Sequence, residues 1–242
     1  MLHIVTPLFR YDLLDKVYQS IPKHTDIIWH IAKTTHREKL VHEFIYTDER
    51  IKLYEIDCLD SDIVAKRNTI FSNIKNGYFY LLDDDTIFLN ELYLVYKTYS
   101  EIGFIGMILG NNNFSKEKFL SIDPTHTHID TGRVLCHTSV LQAIKWEWSL
   151  LYARDCLFWS KCYEFFGKDS LIYINKTIAT YNYLGVYVKV KKKIFFLNLK
   201  YDIKNLNLAK IYFKLSILKI HTRNFFIFNK KAFKKLLSNP LN

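Results

Sequence analysis

The stretch Tyr78-Phe79-Tyr80-Leu81-Leu82-Asp83-Asp84-Asp85-Thr86 decides the reading of this chain, because five bulky apolar residues run directly into three consecutive carboxylates. A strand buried on both faces reads as a continuous hydrophobic run, so residues 78–82 are predicted as an interior strand with an acidic end. Adjacent Asp side chains repel one another and are costly to desolvate unless something positive neutralises them. A divalent cation does this. Hard cations such as Mg2+ and Mn2+ take oxygen ligands and bridge one or two carboxylates to the phosphates of a substrate. An exposed Asp-rich turn is the plainer alternative, and the apolar lead-in favours the metal and diphosphate reading.

Upstream of this strand, residues 60–75 are predicted as a helix. Ile63, Arg67, Ile70 and Ile74 form one stripe, and Ser61 or Asp62 stands where a cap belongs. Arg67 on a sheet-facing stripe is unusual, since a guanidinium is rarely buried unpaired; snorkelling to the edge is the alternative. On the functional reading, Lys66, Arg67 and Asn68 point towards the acidic strand end. Further upstream come a strand at 3–9, a helix at 11–21 stopped by Pro22, and strands at 27–32 and 51–57. Strand, helix, strand in this order implies a parallel sheet.

Downstream, a helix is predicted at 89–102, a strand at 103–109 and a turn at 110–113. A polar loop then enters a strand at Arg133, a short helix follows at 140–146, and a longer one runs from 154 to 166. Asp155 falls in the first turn of that helix, where the helix dipole favours a carboxylate, so capping alone would explain it. Short strands at 170–174 and 178–183 complete this part.

At 242 residues the chain can bury a sizeable core. Seven Gly and four Pro exclude repeats, collagen-like sequence and long flexible linkers. Cys58, Cys136, Cys156 and Cys162 have no CxxC spacing and are read as reduced thiols. Neither a secretory signal nor an apolar run of the roughly 20 residues a spanning helix needs is present, so a cytoplasmic location is expected.

Charge divides the chain at about Gly185. Residues 186–242 carry 14 Lys and Arg against Asp202 alone, a charge of +13, whereas residues 1–185 carry 20 against 23, so all of the excess positive charge behind the net +10 lies in this tail. The expected organisation is a catalytic domain at 1–185 and a basic amphipathic extension at 186–242. Within the extension, Asn207, Lys210, Lys214 and His221 oppose Leu208, Ile211, Leu215 and Leu218, and Phe225, Phe226, Phe228 and Phe233 alternate with lysines. Such a segment suits an anionic membrane surface, where each basic residue contributes about 1 kcal/mol. A helix packed on the catalytic domain with a solvated Lys face is the plainer reading.

In this order the elements resemble the GT-A class of nucleotide-sugar-dependent glycosyltransferases. The resemblance rests on the opening strand with Thr6-Pro7, the helix carrying Ala65-Lys66-Arg67-Asn68, the DxD-like Asp83-Asp84-Asp85 after a buried strand, and an acidic residue opening a later helix. It covers about residues 3–185. It implies an α/β fold with a mixed, mostly parallel sheet flanked by helices, and a nucleotide at the carboxyl ends of the strands, where α/β geometry also puts the crevice. It further implies that Thr6, Pro7 and Arg10 contact base and ribose, and that Arg67 and Asn68 lie beside the nucleotide. By the same resemblance Asp83 is expected to approach the ribose and share the metal, Asp85 to bind Mn2+ or Mg2+, and Asp84 to fill either role. Asp155 is implied as the base of an inverting transfer, and His128, Asp130, Thr131 and Gly132 contact the donor sugar or acceptor. UDP is the favoured nucleotide because it is the commonest donor in the class; the expected acceptor is a glycan or lipid-linked hydroxyl, and the basic tail motivates the expectation that it lies at the inner face of a membrane.

Two rival readings remain. His126-x-His128-x-Asp130 resembles most of the HxHxDH motif of metallo-β-lactamase-type hydrolases, with Thr131 where that motif has His. The basic tail could alternatively neutralise nucleic-acid phosphates, although the sequence has no nucleic-acid module.

Overall fold

The computed structural model describes residues 1–36, 42–112, 129, 131–147 and 154–180. Within these residues, seven strands form a single sheet: β1 (Leu2–Pro7), β2 (Ile27–Thr34), β3 (Ile51–Ile56), β4 (Tyr78–Leu81), β5 (Met107–Asn112), β6 (Val134–His137) and β7 (Leu171–Ala179). Their spatial order is β3-β2-β1-β4-β6-β5-β7. β6 runs antiparallel to both β4 and β5, whereas every other pairing is parallel. The apolar run at 78–81 therefore sits mid-sheet, paired on both sides and covered on both faces. This is the position in which a strand has no polar face to show.

Among the described residues, five α-helices accompany the sheet: α1 (Leu14–Ser20), α2 (Phe44–Thr47), α3 (Ile63–Phe71), α4 (Asn90–Glu101) and α5 (Arg154–Phe166). Alternation along the strands divides the core in two. Leu2, Ile4, Trp29 and Tyr80 pack with Leu14 and Val17 of α1 and Leu92 and Val95 of α4. Val5, Phe79, Leu81 and Met107 point the other way, onto Ile70 and Phe71 of α3 and Phe158 and Trp159 of α5. The Asp62 carboxylate accepts from the Ala65 backbone N–H at 2.9 Å and caps α3.

Four expectations need correction. The strand predicted at 103–109 starts at Met107, because Gly103 adopts φ +65° in the turn that ends α4. Asn111 and Asn112 do not turn; they pair with Thr177 and Ala179 of β7 across a register shift. The two short strands predicted around 170–183 are, as far as Ala179, one strand. The helix expected at 140–146 is a 3₁₀ turn, Thr138–Gln142, followed by irregular chain through Glu147.

Candidate active site

The carboxyl ends of β1 and β4 lie side by side, so the loop after Pro7 meets the acidic turn after Leu81. Thr6 and Leu82 lock the two together: the Thr6 hydroxyl donates to the Leu82 carbonyl at 2.9 Å and accepts from the Trp29 indole N–H at 2.9 Å. Beyond this bond the Asp84 carboxylate turns inward. Its Oδ2 accepts the backbone N–H groups of Phe9 (2.5 Å) and Arg10 (2.7 Å), while Oδ1 lies 2.9 Å from Arg10 Nε. The same guanidinium pairs with Asp85. Asp84 is 1% exposed and Asp85 is buried beside it, whereas the Arg10 side chain is 26% exposed. Burial pushes the Asp84 carboxyl up to about 6, against the opposing pull of Arg10 and the two N–H donors. Burial also raises Asp85, again opposed by Arg10.

One turn of α3 approaches from the other side, and its three polar residues do different work. The Lys66 ammonium is buried. It donates to the carbonyls of Leu8 and Asp60 at 2.7 Å each, lies 3.3 Å from the Asp60 carboxylate and sits 3.9 Å above the Phe9 ring. It thus pins the β1 loop from behind, and desolvation lowers its pKa. Arg67 is 2% exposed yet reaches two carboxylates that are about half exposed: Nη2 lies 3.7 Å from Asp83 (47%), and Nη1 lies 3.4 Å from Asp155 (42%) at the start of α5. Its guanidinium also stacks on the Trp146 indole, 4.1 Å from the ring centre. Asn68 turns away from this cluster and bonds the main chain of Trp146 in both directions, at 2.8 Å each.

The structure therefore gathers Arg10, Arg67, Asp83, Asp84, Asp85 and Asp155 at the strand ends. It does not present the side chains of Thr6 and Pro7, which are buried; the Thr6 hydroxyl is used internally. Asp84 holds the 9–10 loop instead of facing solvent, and Asn68 is occupied by Trp146. Thr131 is buried, and the Gly132 carbonyl accepts from the Tyr80 hydroxyl at 2.7 Å. His126, His128 and Asp130 lie outside the described residues, as does the whole 186–242 extension. The sequence reading placed Trp146 only at the end of the helix expected at 140–146 and gave it no part in the site, because nothing in its spacing marks a partner for Arg67.

Among the described residues, no three His, Cys, Asp or Glu side chains converge as a complete metal-ligand set. The donors at the strand end nevertheless fit a hard cation of the Mg2+ or Mn2+ type. Such ions are held by one or two carboxylates and complete their shell with water and substrate phosphate. Here the donors are all oxygen, and the buried Asp84 and Asp85 share one guanidinium from a partly exposed loop.

No protein-family model matches the sequence, and no curated protein is significantly similar to it. In three dimensions the chain is similar to S. aureus TarS 1–349, at 14% identity and TM-score 0.58, over 74% of this chain and 59% of that one. It is likewise similar to TarS 1–349 in complex with UDP, at 13% identity and TM-score 0.59, over 74% and 60% of the two chains. A third match is the mannosyltransferase PcManGT from Pyrobaculum calidifontis in complex with GDP-Man and Mn2+, at 10% identity and TM-score 0.60, covering 99% and 76%. The chain thus spans less than two thirds of either TarS chain. At such identities the likeness is one of architecture, and with the strand order and the single antiparallel strand β6 it makes the fold GT-A-like.

Proposed function

We propose that this chain is a metal-dependent glycosyltransferase, moving a sugar from a nucleoside diphosphate sugar to a hydroxyl of a glycan or lipid-linked acceptor. The observation that carries this reading is Arg67, a nearly buried cation between two half-exposed carboxylates at the carboxyl ends of the strands. Support also comes from what the similar structures hold: UDP in TarS, and GDP-Man with Mn2+ in PcManGT.

Cleaving the bond between the anomeric carbon and the diphosphate oxygen leaves negative charge on the diphosphate. The N–H donors of Arg67, fixed before the reaction in a desolvated setting, stabilise that charge. Asp155 accepts the proton of the acceptor hydroxyl as its oxygen bonds to the anomeric carbon, which inverts the configuration. Arg10 and the 9–10 loop, braced by Asp84 and Lys66, line the nucleotide side, with Thr6 and Pro7 supporting it from beneath. A divalent cation held by Asp85 together with Asp83 would supply Lewis-acid charge to the departing diphosphate. Thr131 and Gly132, with His128 and Asp130, are assigned to the donor sugar or acceptor.

Among the described residues no helix is long and apolar enough to cross a membrane. The charge pattern of the extension supports peripheral binding to an anionic inner membrane face. Deleting 186–242 is expected to release the protein from anionic liposomes.

The test of the activity is a thermal-shift panel of UDP, GDP, CMP and dTDP, with and without Mn2+. Ligand at about 100 times its Kd stabilises the folded state by roughly 2.7 kcal/mol. Metal-dependent stabilisation by one nucleoside diphosphate is expected, with UDP foremost. No response to any of the four would reject the reading.

A further inference from the structure

We infer that Asn68 and Trp146 act together as positioning residues for Arg67, holding its guanidinium on an indole face so that its N–H edge stays directed at the carboxylate pair. The inference rests on the proposed role of Arg67 at the diphosphate, and it deepens that role by naming what fixes the cation.

Trp146 lies in irregular chain, outside any helix or strand, so no ladder or helix sets its position. Asn68 replaces the missing ladder. Its Nδ2 donates to the Trp146 carbonyl and its Oδ1 accepts from the Trp146 N–H, both at 2.8 Å. A peptide held at donor and acceptor by one planar amide is fixed in orientation as well as place. The clamp originates on α3, one residue from Arg67, so the indole and the guanidinium it carries are set by the same helical turn.

The indole is buried between the two helices that bear the site. One contact is Arg67, 4.1 Å from the ring centre. Another is Phe158, stacked at 4.4 Å between centroids and three residues after Asp155 on α5; Phe71 of α3 lies 6.4 Å away. Trp146 therefore sets the spacing between Arg67 and Asp155.

Arg67 itself is under-bonded by its carboxylates. A direct charge-assisted bond is about 2.7–2.9 Å long, but these contacts are 3.4 and 3.7 Å, and the buried Nε has no hydrogen-bond partner. A guanidinium free to move would close onto one carboxylate. The π face holds it while leaving donor capacity along its edge.

The test uses the full chain with Trp146→Phe, Trp146→Leu, Asn68→Ala and Asn68→Asp, and two independent readouts. The first is the Arg67 Nε–Hε resonance, assigned by its loss in Arg67→Lys, with its order and solvent exchange rate. One ordered, slowly exchanging signal is expected in the native chain and in Trp146→Phe. In Trp146→Leu and Asn68→Ala the signal should be averaged, with exchange at least tenfold faster. Asn68→Asp keeps the acceptor for the Trp146 N–H and should fall between; it decides the matter should the leucine variant fail to fold. The second readout is turnover of the nucleotide sugar. In the leucine and alanine variants kcat should fall at least tenfold with donor KM within about threefold, and Trp146→Phe should stay within about threefold of native in both.

An Arg67 signal unchanged in Trp146→Leu and Asn68→Ala overturns the inference, as does an equal kcat loss in the Phe and Leu variants. If the native chain turns over no nucleotide sugar, the proposed function fails instead, and the resonance still decides the positioning role.

Discussion

Arg10 Nε lies 2.9 Å from Asp84 Oδ1, and the same guanidinium pairs with Asp85, so a single positive group compensates two buried carboxylates. The compensation is incomplete: burial outweighs Arg10 and raises the Asp84 carboxyl from 3.8 to about 6. In that interval the folded state keeps a proton that the unfolded chain has lost. The contribution of Asp84 to stability is therefore fully present below pH 3.8 and is lost as pH rises through 6. Carrying the ionised group at pH 8 costs about 3 kcal/mol. Asp84→Asn should remove this decline, so the melting temperature of the variant relative to native should be distinctly more favourable at pH 8 than at pH 4. An identical difference at both pH values would mean that the buried carboxyl titrates like an exposed one.

A second buried pair titrates in the opposite sense. His3 Nε2 lies 2.9 Å from the Asn76 carbonyl, which can only accept, so this nitrogen carries the hydrogen. His3 Nδ1 must then accept from His30 Nε2–H at 2.9 Å, and His30 Nδ1 accepts from the Tyr54 hydroxyl at 3.0 Å. The chain works only with both rings neutral. Burial drives His30 down to about 3 and also lowers His3. Their contribution is fully present above pH 6.5 and is lost as pH falls below it, by about 2 kcal/mol at pH 5 for His30 alone. Urea titrations at pH 7.5 and 5 should show a much smaller acid loss in His30→Gln than in the native chain.

Gly77 is where β4 begins, at φ +114°, a conformation that L side chains rarely adopt. A Cβ there would stand 2.2 Å from the carbonyl oxygen of Met1, which accepts the Tyr78 N–H at 2.9 Å. The obstacle is backbone, so nothing can swing aside. Gly77→Ala should cost at least about 2 kcal/mol from the φ penalty and displacement of the β1–β4 start. At roughly 2–4 °C per kcal/mol for a chain of this size, the melting temperature should drop by several degrees. A shift under 1 °C would contradict the crowding.

The elements with strong periodicity were legible in the sequence, and so was the acidic strand end. The run at 78–82 had to be interior because it has no polar face, and β4 is indeed paired on both sides. Arg67 stood out as a cation on a buried stripe and proved to be buried rather than snorkelling. The antiparallel insertion of β6 was not legible, because Val134-Leu135-Cys136, buried mid-sheet, gives the same continuous apolar run as a parallel interior strand. Neither were the tasks of Thr6, Asn68 and Asp84. Their residue types suit a nucleotide as well as they suit the internal bonds they make, and only tertiary partners tell these apart.

The remaining prediction separates binding from chemistry within one cluster. Asp85 is buried beside Asp84, whereas Asp155 opens α5 with its carboxylate about 42% exposed, so the two should fail differently. Asp85→Asn removes a charge from the proposed cation site, and metal-dependent stabilisation by the nucleoside diphosphate should vanish with it. Asp155→Asn keeps the shape and the contact with Arg67 but removes the base. Nucleotide stabilisation should remain within about 1 °C of native, while kcat for transfer falls by about 10²–10⁴. Calorimetry of nucleotide and Mn2+ binding alongside product assays would test the pair. Retention of transfer by Asp155→Asn would remove it as the base and, with it, the inverting assignment; retained metal dependence in Asp85→Asn would move the cation to Asp83.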